Sequence, residues 1–311
     1  MRVLITGGAG FIGSHVADAA IAAGWEVAVL DNLSTGRREN IAAGVRLYEV
    51  DICDREATAA ALRDFRPQAV CHQAAQASVA VSVARPHFDV SVNIVGSVNL
   101  FDACVHSGVE RLVVASTGGA IYGEVPATTR ARVDWPGAPI SPYAISKLAV
   151  DQLLGVYRQH HGLRSTVLRY ANVYGPRQDP HGEAGVVAIF LGLALAGKPL
   201  RINARKQQGD DGCLRDYVYV ADVARANVAA LAGKFGDPIV NIGTGVETST
   251  RELAHAIVGL VGREIELIPS DPRPGDLERS VLDPQQCKLL LGELTNLAQG
   301  MRCTYEWYLN H

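Results

Sequence analysis

The stretch Gly7-Gly8-Ala9-Gly10-Phe11-Ile12-Gly13 lies between a short β-branched run, residues 2–6, and an alanine-rich segment that reaches residue 23. A strand, a glycine-spaced loop and a helix in direct succession are the setting that a dinucleotide fingerprint requires. The reasons are physical and separable. A glycine at the tight turn accepts positive φ, and one without Cβ lets the backbone touch a pyrophosphate. The helix N-terminus then offers unpaired N–H donors and the positive end of its dipole. A tight turn with no ligand would use the same glycines. Against the bare turn stands Asp31, which follows Gly13 by 18 residues at the end of the next apolar run. A carboxylate there can accept both ribose hydroxyls of adenosine and repels a 2′-phosphate, which favours NAD over NADP. Arg37 and Arg38, a little further on, could instead serve a 2′-phosphate. Asp51 closes the third run, where it can reach an adenine amine or simply cap the strand end.

Apolar runs at 2–6, 26–30, 46–50, 69–72, 111–115 and 165–169 alternate with helical patterns, notably over 55–65, 86–106 and 143–161. That alternation predicts parallel βαβ units and an α/β fold, a doubly wound parallel Rossmann sheet with a smaller mixed α/β lobe. The nucleotide-binding domain is expected over 1–171, with 217–245 returning to it, and the lobe over 172–216 and 246–311. Residues 175–185 and 271–276 read as loops. Ser249 and Glu252 have capping-box spacing ahead of an apolar helix at 253–261.

Composition removes several classes. A chain of 311 residues that is 48% hydrophobic and 20% charged is globular, not disordered. Its net charge of −3 gives no excess of cations for non-specific nucleic-acid binding. No apolar run reaches the ~18–20 residues of a membrane span, and the opening run is too short for a signal peptide. The expectation is a cytoplasmic protein with no membrane or nucleic-acid partner. The six cysteines form no CxxC pair and no zinc spacing, so reduced thiols and no metal site are expected. The 31 glycines exceed the usual ~7%, through turns or through close backbone approach to a ligand.

Ser141-Pro142-Tyr143-Ala144-Ile145-Ser146-Lys147 puts Tyr143 and Lys147 at i and i+4, on one face of a helix. A free phenol, with a pKa of about 10, is a poor base at neutral pH. A nearby ammonium, helped by a nicotinamide's positive charge, favours the phenolate. Such a tyrosine can take a proton from an alcohol while hydride leaves the same carbon. The spacing alone is a common accident of surface helices. Behind a nucleotide fingerprint it points to catalysis.

These residues carry a resemblance to the extended short-chain dehydrogenase/reductases, and within them to the nucleotide-sugar 4-epimerases. The likeness extends over residues 1 to about 308. It rests further on Asp31-Asn32-Leu33-Ser34-Thr35-Gly36, His72-Gln73-Ala74-Ala75, Ile121-Tyr122-Gly123, Arg169-Tyr170-Ala171-Asn172-Val173-Tyr174-Gly175-Pro176, Arg215-Asp216-Tyr217 and Arg273-Pro274-Gly275-Asp276. The resemblance implies NAD as cofactor. Gly7, Gly10, Phe11, Ile12 and Gly13 would lie at the pyrophosphate. Asp31, Asn32, Ser34, Thr35 and Gly36 would hold the adenosine ribose, and Asp51 and Ile52 would flank adenine. Gln73, Ala74, Ala75 and Gln76 would line the cofactor, with Tyr143, Lys147, Tyr170 and Ala171 beside the nicotinamide. Asn172, Val187, Arg201, Asn203, Arg215, Arg273 and Asp276 would form a UDP-sugar pocket in the lobe. Guanidinium forks suit a diphosphate, although surface ion pairing would use the same arginines. Family analogy also implies a homodimer, in which helices 86–106 and 143–161 of two copies form a four-helix bundle.

The chain departs from the family pattern at Gly118, where many members carry a serine. The resemblance then transfers the sugar-oxygen hydroxyl to Thr117, with Ser116 second. Related dehydratases and decarboxylases carry acids where this chain has Gly119 and Ala120, which favours epimerisation at C4 of UDP-glucose or UDP-galactose. Ser280 is small where relatives restricted to unacetylated sugars often carry tyrosine, so UDP-GlcNAc and UDP-GalNAc are also expected to fit. Residues 291–300 lack the family's usual Trp-x-Pro. The alternatives are another nucleotide-sugar epimerase or a 4-reductase, and, more distantly, a non-catalytic NAD-binding protein.

Overall fold

A computed structural model describes residues 1–180, 185–236, 238–273 and 275–311. In chain order the elements are β1 (Arg2–Thr6), α1 (Phe11–Ala22), β2 (Glu26–Asp31), β3 (Arg46–Glu49), α2 (Arg55–Phe65), β4 (Ala69–His72), α3 (Val79–Ala84), α4 (Pro86–Val90), a π-helical turn (Ser91–Val95), α5 (Gly96–His106), β5 (Arg111–Thr117), α6 (Gly118–Ile121) and α7 (Pro142–His161). There follow β6 (Ser165–Tyr170), β7 (Asn172–Tyr174), α8 (Val186–Leu195), β8 (Leu200–Asn203), β9 (Leu214–Tyr219), α9 (Val220–Leu231), β10 (Ile239–Ile242), β11 (Glu247–Ser249), α10 (Thr250–Val261), β12 (Leu267–Ser270), β13 (Arg279–Ser280), α11 (Gln285–Leu291) and α12 (Leu297–Asn310).

Local chemistry sets the helix ends. Asp54 caps α2 by accepting from Ala57 N at 3.0 Å, and Arg66, at φ 52°, stops that helix ahead of Pro67. Ser141 caps α7, Pro142 takes its first turn, and Gly162, at φ 64°, ends it. Ser249 and Glu252 form the expected capping box on α10.

The chain divides into two compact units. The first comprises Met1–Thr117, Pro139–Arg169 and Val223–Val240, and the second Gly118–Ala138, Tyr170–Asp222 and Asn241–His311. A seven-stranded sheet runs in the order β10-β6-β5-β4-β1-β2-β3, and β1 pairs in parallel with both β2 and β4. Val3, Leu4, Ile5, Val29, Leu30, Val70, Val113 and Val114 are wholly buried, as expected of parallel strands covered by helices on both faces. Strand order reverses between β1 and β4, and ligands of such sheets bind at that switch point, beyond the carboxyl ends of the strands. The glycine loop leaves β1 there, and residues 73–76 leave β4.

The second unit is mixed α/β. Its sheet centres on β9, which pairs antiparallel with β11 and parallel with β13 and β7; β8 and β12 form a separate parallel pair. Its core contains Tyr174, Leu191, Tyr217, Leu253, Ile257 and Met301. The strands at 172–174, 200–203, 214–219 and 247–249, and helices α8, α9, α11 and α12, go beyond the elements expected from sequence. Of the expected loops, His181, Gly182, Glu183, Ala184 and Pro274 lie outside the described residues.

One expectation needs correction. Residues 86–106 form a single 21-residue helical run containing an 18-residue stretch of mean hydropathy 1.3, long and apolar enough by length and composition to cross a membrane. Half of its apolar window is buried in the fold, and that side carries Asp89, Asn93 and Asn99, each buried and hydrogen-bonded. Those polar residues break up the apolar run in the sequence while they tie a core helix in place.

Candidate active site

The glycine loop is built by backbone touching backbone. Gly7, at φ +68°, donates to Leu30 O at 2.8 Å, and a Cβ on it would lie 2.5 Å from Ala74 N. A Cβ at Gly13 would lie 2.0 Å from Gly7 O, so α1 can start against the turn only with glycine there. A Cβ at Gly10 would meet only Gly7 O, at 3.2 Å. No side chain caps the N-terminus of α1, and its first turn carries no acid. Phe11 and Ile12 form that turn. The surroundings suit an anion.

Asp31 ends β2, 7% exposed. Its carboxylate accepts Ala9 N at 2.9 Å and Leu33 N at 2.8 Å, tying the strand end to the glycine loop. Burial pushes its carboxyl upward, against the lowering effect of those two N–H groups. Asn32 donates to Asp51 at 2.9 Å and accepts from the Ser34 backbone and hydroxyl, and a Cβ on Gly36 would lie 2.8 Å from Ala9 Cβ. Burial would raise Asp51, but the Cys53 N–H and Asn32 amide hold it below the ordinary carboxylate range. The structure thus brings 31–36, with Thr35 among them, and Asp51 together around one loop. The cradle, the open helix terminus and the acid fit NAD.

Three further expected cofactor residues have side chains that also make internal contacts. The Ile52 side chain is in the core under α5, where a Cβ on Gly96 would lie 2.7 Å from it. Gln73 donates to Asn227 at 3.0 Å. Gln76, 4% exposed, donates to Asp89 at 2.7 Å and accepts from Ser78 N. These amides brace the segment after β4, leaving Ala74 and Ala75 as its small residues. Tyr170 and Ala171 follow at the end of β6, both buried.

Tyr143 and Lys147 share a face of α7, with Tyr143 half-buried and Lys147 buried. Lys147 Nζ donates to Ala115 O at 3.0 Å, which anchors it at the end of β5 beside Thr117. Burial pulls its ammonium down to about 8, against the carboxylates of Asp151 and Asp89, which push it up. His72, bridged to Thr6 at 2.7 Å and Ser97 at 3.0 Å, is drawn down to about 3 by burial and then by the Lys147 charge, so it is neutral. Sequence reasoning missed Asp89 and Asp151. The signal for Asp151 was its place one further turn along the Tyr143–Lys147 stripe.

Of the expected substrate residues, Thr117 and Tyr143 belong to the first unit and the other seven to the second. Arg215 lies on β9, opposite Ser280 of β13, and Asn172 pairs with Tyr217 of the same strand. Arg201 is exposed on β8, with Asn203 at its end; Arg273 and Asp276 stand on an exposed loop, joined by Asp276 N to Arg273 O at 3.2 Å. Val187 is 1% exposed, its side chain packed in the core of the unit. Asp216, also missed, is buried and accepts from the Thr244 and Gly245 backbones, fixing the strand that carries Arg215. Gly118 has a steric reason: a Cβ there would lie 2.5 Å from Leu282 Cδ1, so the space of a serine is already filled. Ser116 is buried and Thr117 half-buried. Among the described residues no group of three or more His, Cys, Asp or Glu could hold a metal.

The family described as NAD dependent epimerase/dehydratase matches residues 3–243. The chain is 45% identical over 317 residues to UDP-glucose 4-epimerase of Mycolicibacterium smegmatis, with 100% of this chain and 99% of that protein covered. Among solved structures, a Thermus thermophilus UDP-glucose 4-epimerase in complex with NAD matches with TM-score 0.95 and 54% identity over 99% of each chain. A Thermotoga maritima UDP-glucose 4-epimerase with UDP-glucose matches with TM-score 0.93 and 43% identity, over 100% of this chain and 99% of that one.

Proposed function

This chain belongs to the NAD dependent epimerase/dehydratase family, and on that footing we propose that it inverts C4 of a UDP-hexose, interconverting UDP-glucose and UDP-galactose through a 4-keto sugar. The observation that carries this reading is the Tyr143–Lys147 pair, with the ammonium buried and anchored one helical turn from the phenol. NAD, held by the glycine loop and Asp31, supplies a reversible two-electron acceptor for the sugar carbon. Tyr143 takes the proton of the 4-hydroxyl and returns it after the keto sugar has turned over, while the Lys147 charge favours the phenolate. Thr117 donates a hydrogen bond to the sugar oxygen. Arg215 and Arg273 hold the diphosphate, with Asn172, Val187, Arg201, Asn203 and Asp276 completing the pocket. Gly119 and Ala120 offer no acid for dehydration. A 4-reductase would consume stoichiometric reduced cofactor, and a requirement for it would replace the epimerase reading.

Thr117→Val is expected to cost about tenfold in kcat, ~1.4 kcal/mol, which is the scale of one lost hydrogen bond in the transition state. Turnover within about twofold of wild type would remove Thr117 from the mechanism. Ser280 is buried and its hydroxyl donates to Gly119 O at 3.2 Å, so a small side chain occupies that place. We expect UDP-GlcNAc to be converted to UDP-GalNAc by wild type and rejected by Ser280→Tyr with UDP-glucose turnover kept. Strict rejection of the acetylated pair by wild type would refute this extension.

We further propose a cytoplasmic homodimer, supported by the exposed Val83, Phe88, Val95, Ile145 and Val156 along α3–α5 and α7. Light scattering after size exclusion checks it, with twice the chain mass expected.

A further inference from the structure

Lys147 is one of five lysines, and Lys198, Lys206, Lys234 and Lys288 are all exposed. A buried ammonium is costly unless other charges and acceptors surround it. Ala115 O satisfies one donor direction. The rest of the compensation is electrostatic, and its sources can be named from the elements packed around α7. Asp151 stands one turn beyond Lys147 on the same stripe, 2% exposed, and Arg158 follows it on α7. Arg169 on β6 donates to Asp151 Oδ2 at 2.9 Å, with both side chains buried, and the buried hydroxyl of Ser116 on β5 is a further partner that favours the Asp151 carboxylate. On α4, Asp89 is fully buried and committed to Gln76, Asn93 and Ser146. His72 on β4 is neutral. Neither α3 nor the π-helical turn has a charged residue. α5 brings Asp102, which binds Tyr157 near the far end of α7, and β5 brings Arg111 at its opposite end.

The buried charges therefore balance as two cations, Lys147 and Arg169, against two anions, Asp89 and Asp151. Asp89 already accepts three side-chain hydrogen bonds. Asp151 is the anion in register with the lysine, one turn along the same face of α7. We propose that Asp151 is a positioning residue, the internal counter-ion that keeps Lys147 charged, and that Arg169 sets how much of that anion's field Lys147 receives. This rests on the epimerase reading for its consequence in turnover, though the charge relation itself does not. The pair is the kind that sequence analysis passes over, because Arg169 follows Asp151 by a whole helix and strand. Removing one buried partner leaves the other charge uncompensated, whereas removing both does not.

The test is the titration of Lys147 by NMR in full-length holoenzyme with 13C-labelled lysine, where the one buried lysine stands apart from four exposed ones. Asp151→Asn is expected to lower its midpoint by about one unit or more. Arg169→Gln is expected to raise it by about half a unit or more, and the double variant to lie between the two. Turnover of UDP-glucose should fall about threefold or more in Asp151→Asn at pH 7.5 and recover at least partly in the double variant. Opposite shifts with recovery are the signature of charge; a purely structural role would make both single variants lose activity without moving the midpoint and the double variant worst of all. Midpoints within about 0.3 unit of wild type in both, or shifts in one direction, would overturn the proposal. If Asp151→Asn does not fold, Arg169→Gln and the double variant still decide it. Absence of turnover in wild type would count against the epimerase reading, while the lysine midpoints would still judge this one.

Discussion

Tyr143→Phe should retain the fold and NAD yet lose at least ~10²-fold in kcat, the ordinary contribution of a general acid–base group. The ring stays, and only the oxygen proposed to exchange a proton with the 4-hydroxyl is removed. The loss should fall on kcat more than on KM, because the proton moves only in the transition state. Lys147 should keep its anchor on Ala115 O in the variant, so thermal stability should stay close to wild type. Steady-state kinetics with UDP-galactose and a thermal melt check both. Retained turnover would remove Tyr143 from the chemistry.

The second large effect separates two glycines of one loop. Gly13→Ala should cost about 3 kcal/mol or more, because its Cβ would fall 2.0 Å from Gly7 O and neither atom can move without opening the strand–helix junction. A drop in Tm of roughly 5 °C or more follows, together with lost NAD. Gly10→Ala meets only Gly7 O at 3.2 Å, a contact a small shift relieves, so its Tm should hold while its affinity for NAD falls at least tenfold. Calorimetry and NAD titration on the two variants read the difference. Equal behaviour would mean that the loop is a structural turn, not a cofactor cradle.

That contrast bears on what was legible in the chain. The first unit was readable because its signals are local. Glycine spacing after a strand, an acid at the next strand end and a phenol–ammonium pair at i and i+4 each fit within one supersecondary unit. The excess of glycine resolves in the same way at Gly7 and Gly13, which face backbone. Gly118 was read as a missing hydroxyl, and the reason for the glycine is Leu282, 164 residues away in sequence. Likewise the segment 118–138 packs with the second unit through the Ala131–Leu282 bridge and the Arg279 contacts to Val125 and Pro126 carbonyls. No periodicity announces a two-residue strand such as β13. The core position of Val187 was hidden because an apolar residue on a uniformly apolar helix gives no sign of which neighbours it meets. Asp151 was within reach, one turn past Lys147, but its meaning depends on Arg169.

The central claim is that the chain inverts C4 with a cofactor that is restored in each cycle. Purified protein mixed with UDP-glucose, followed by proton NMR with no reduced cofactor added, tests it most directly. The UDP-galactose anomeric signal should grow to a constant ratio with UDP-glucose, using only catalytic NAD. No conversion with NAD bound, or conversion only with reduced cofactor consumed one for one, would contradict it.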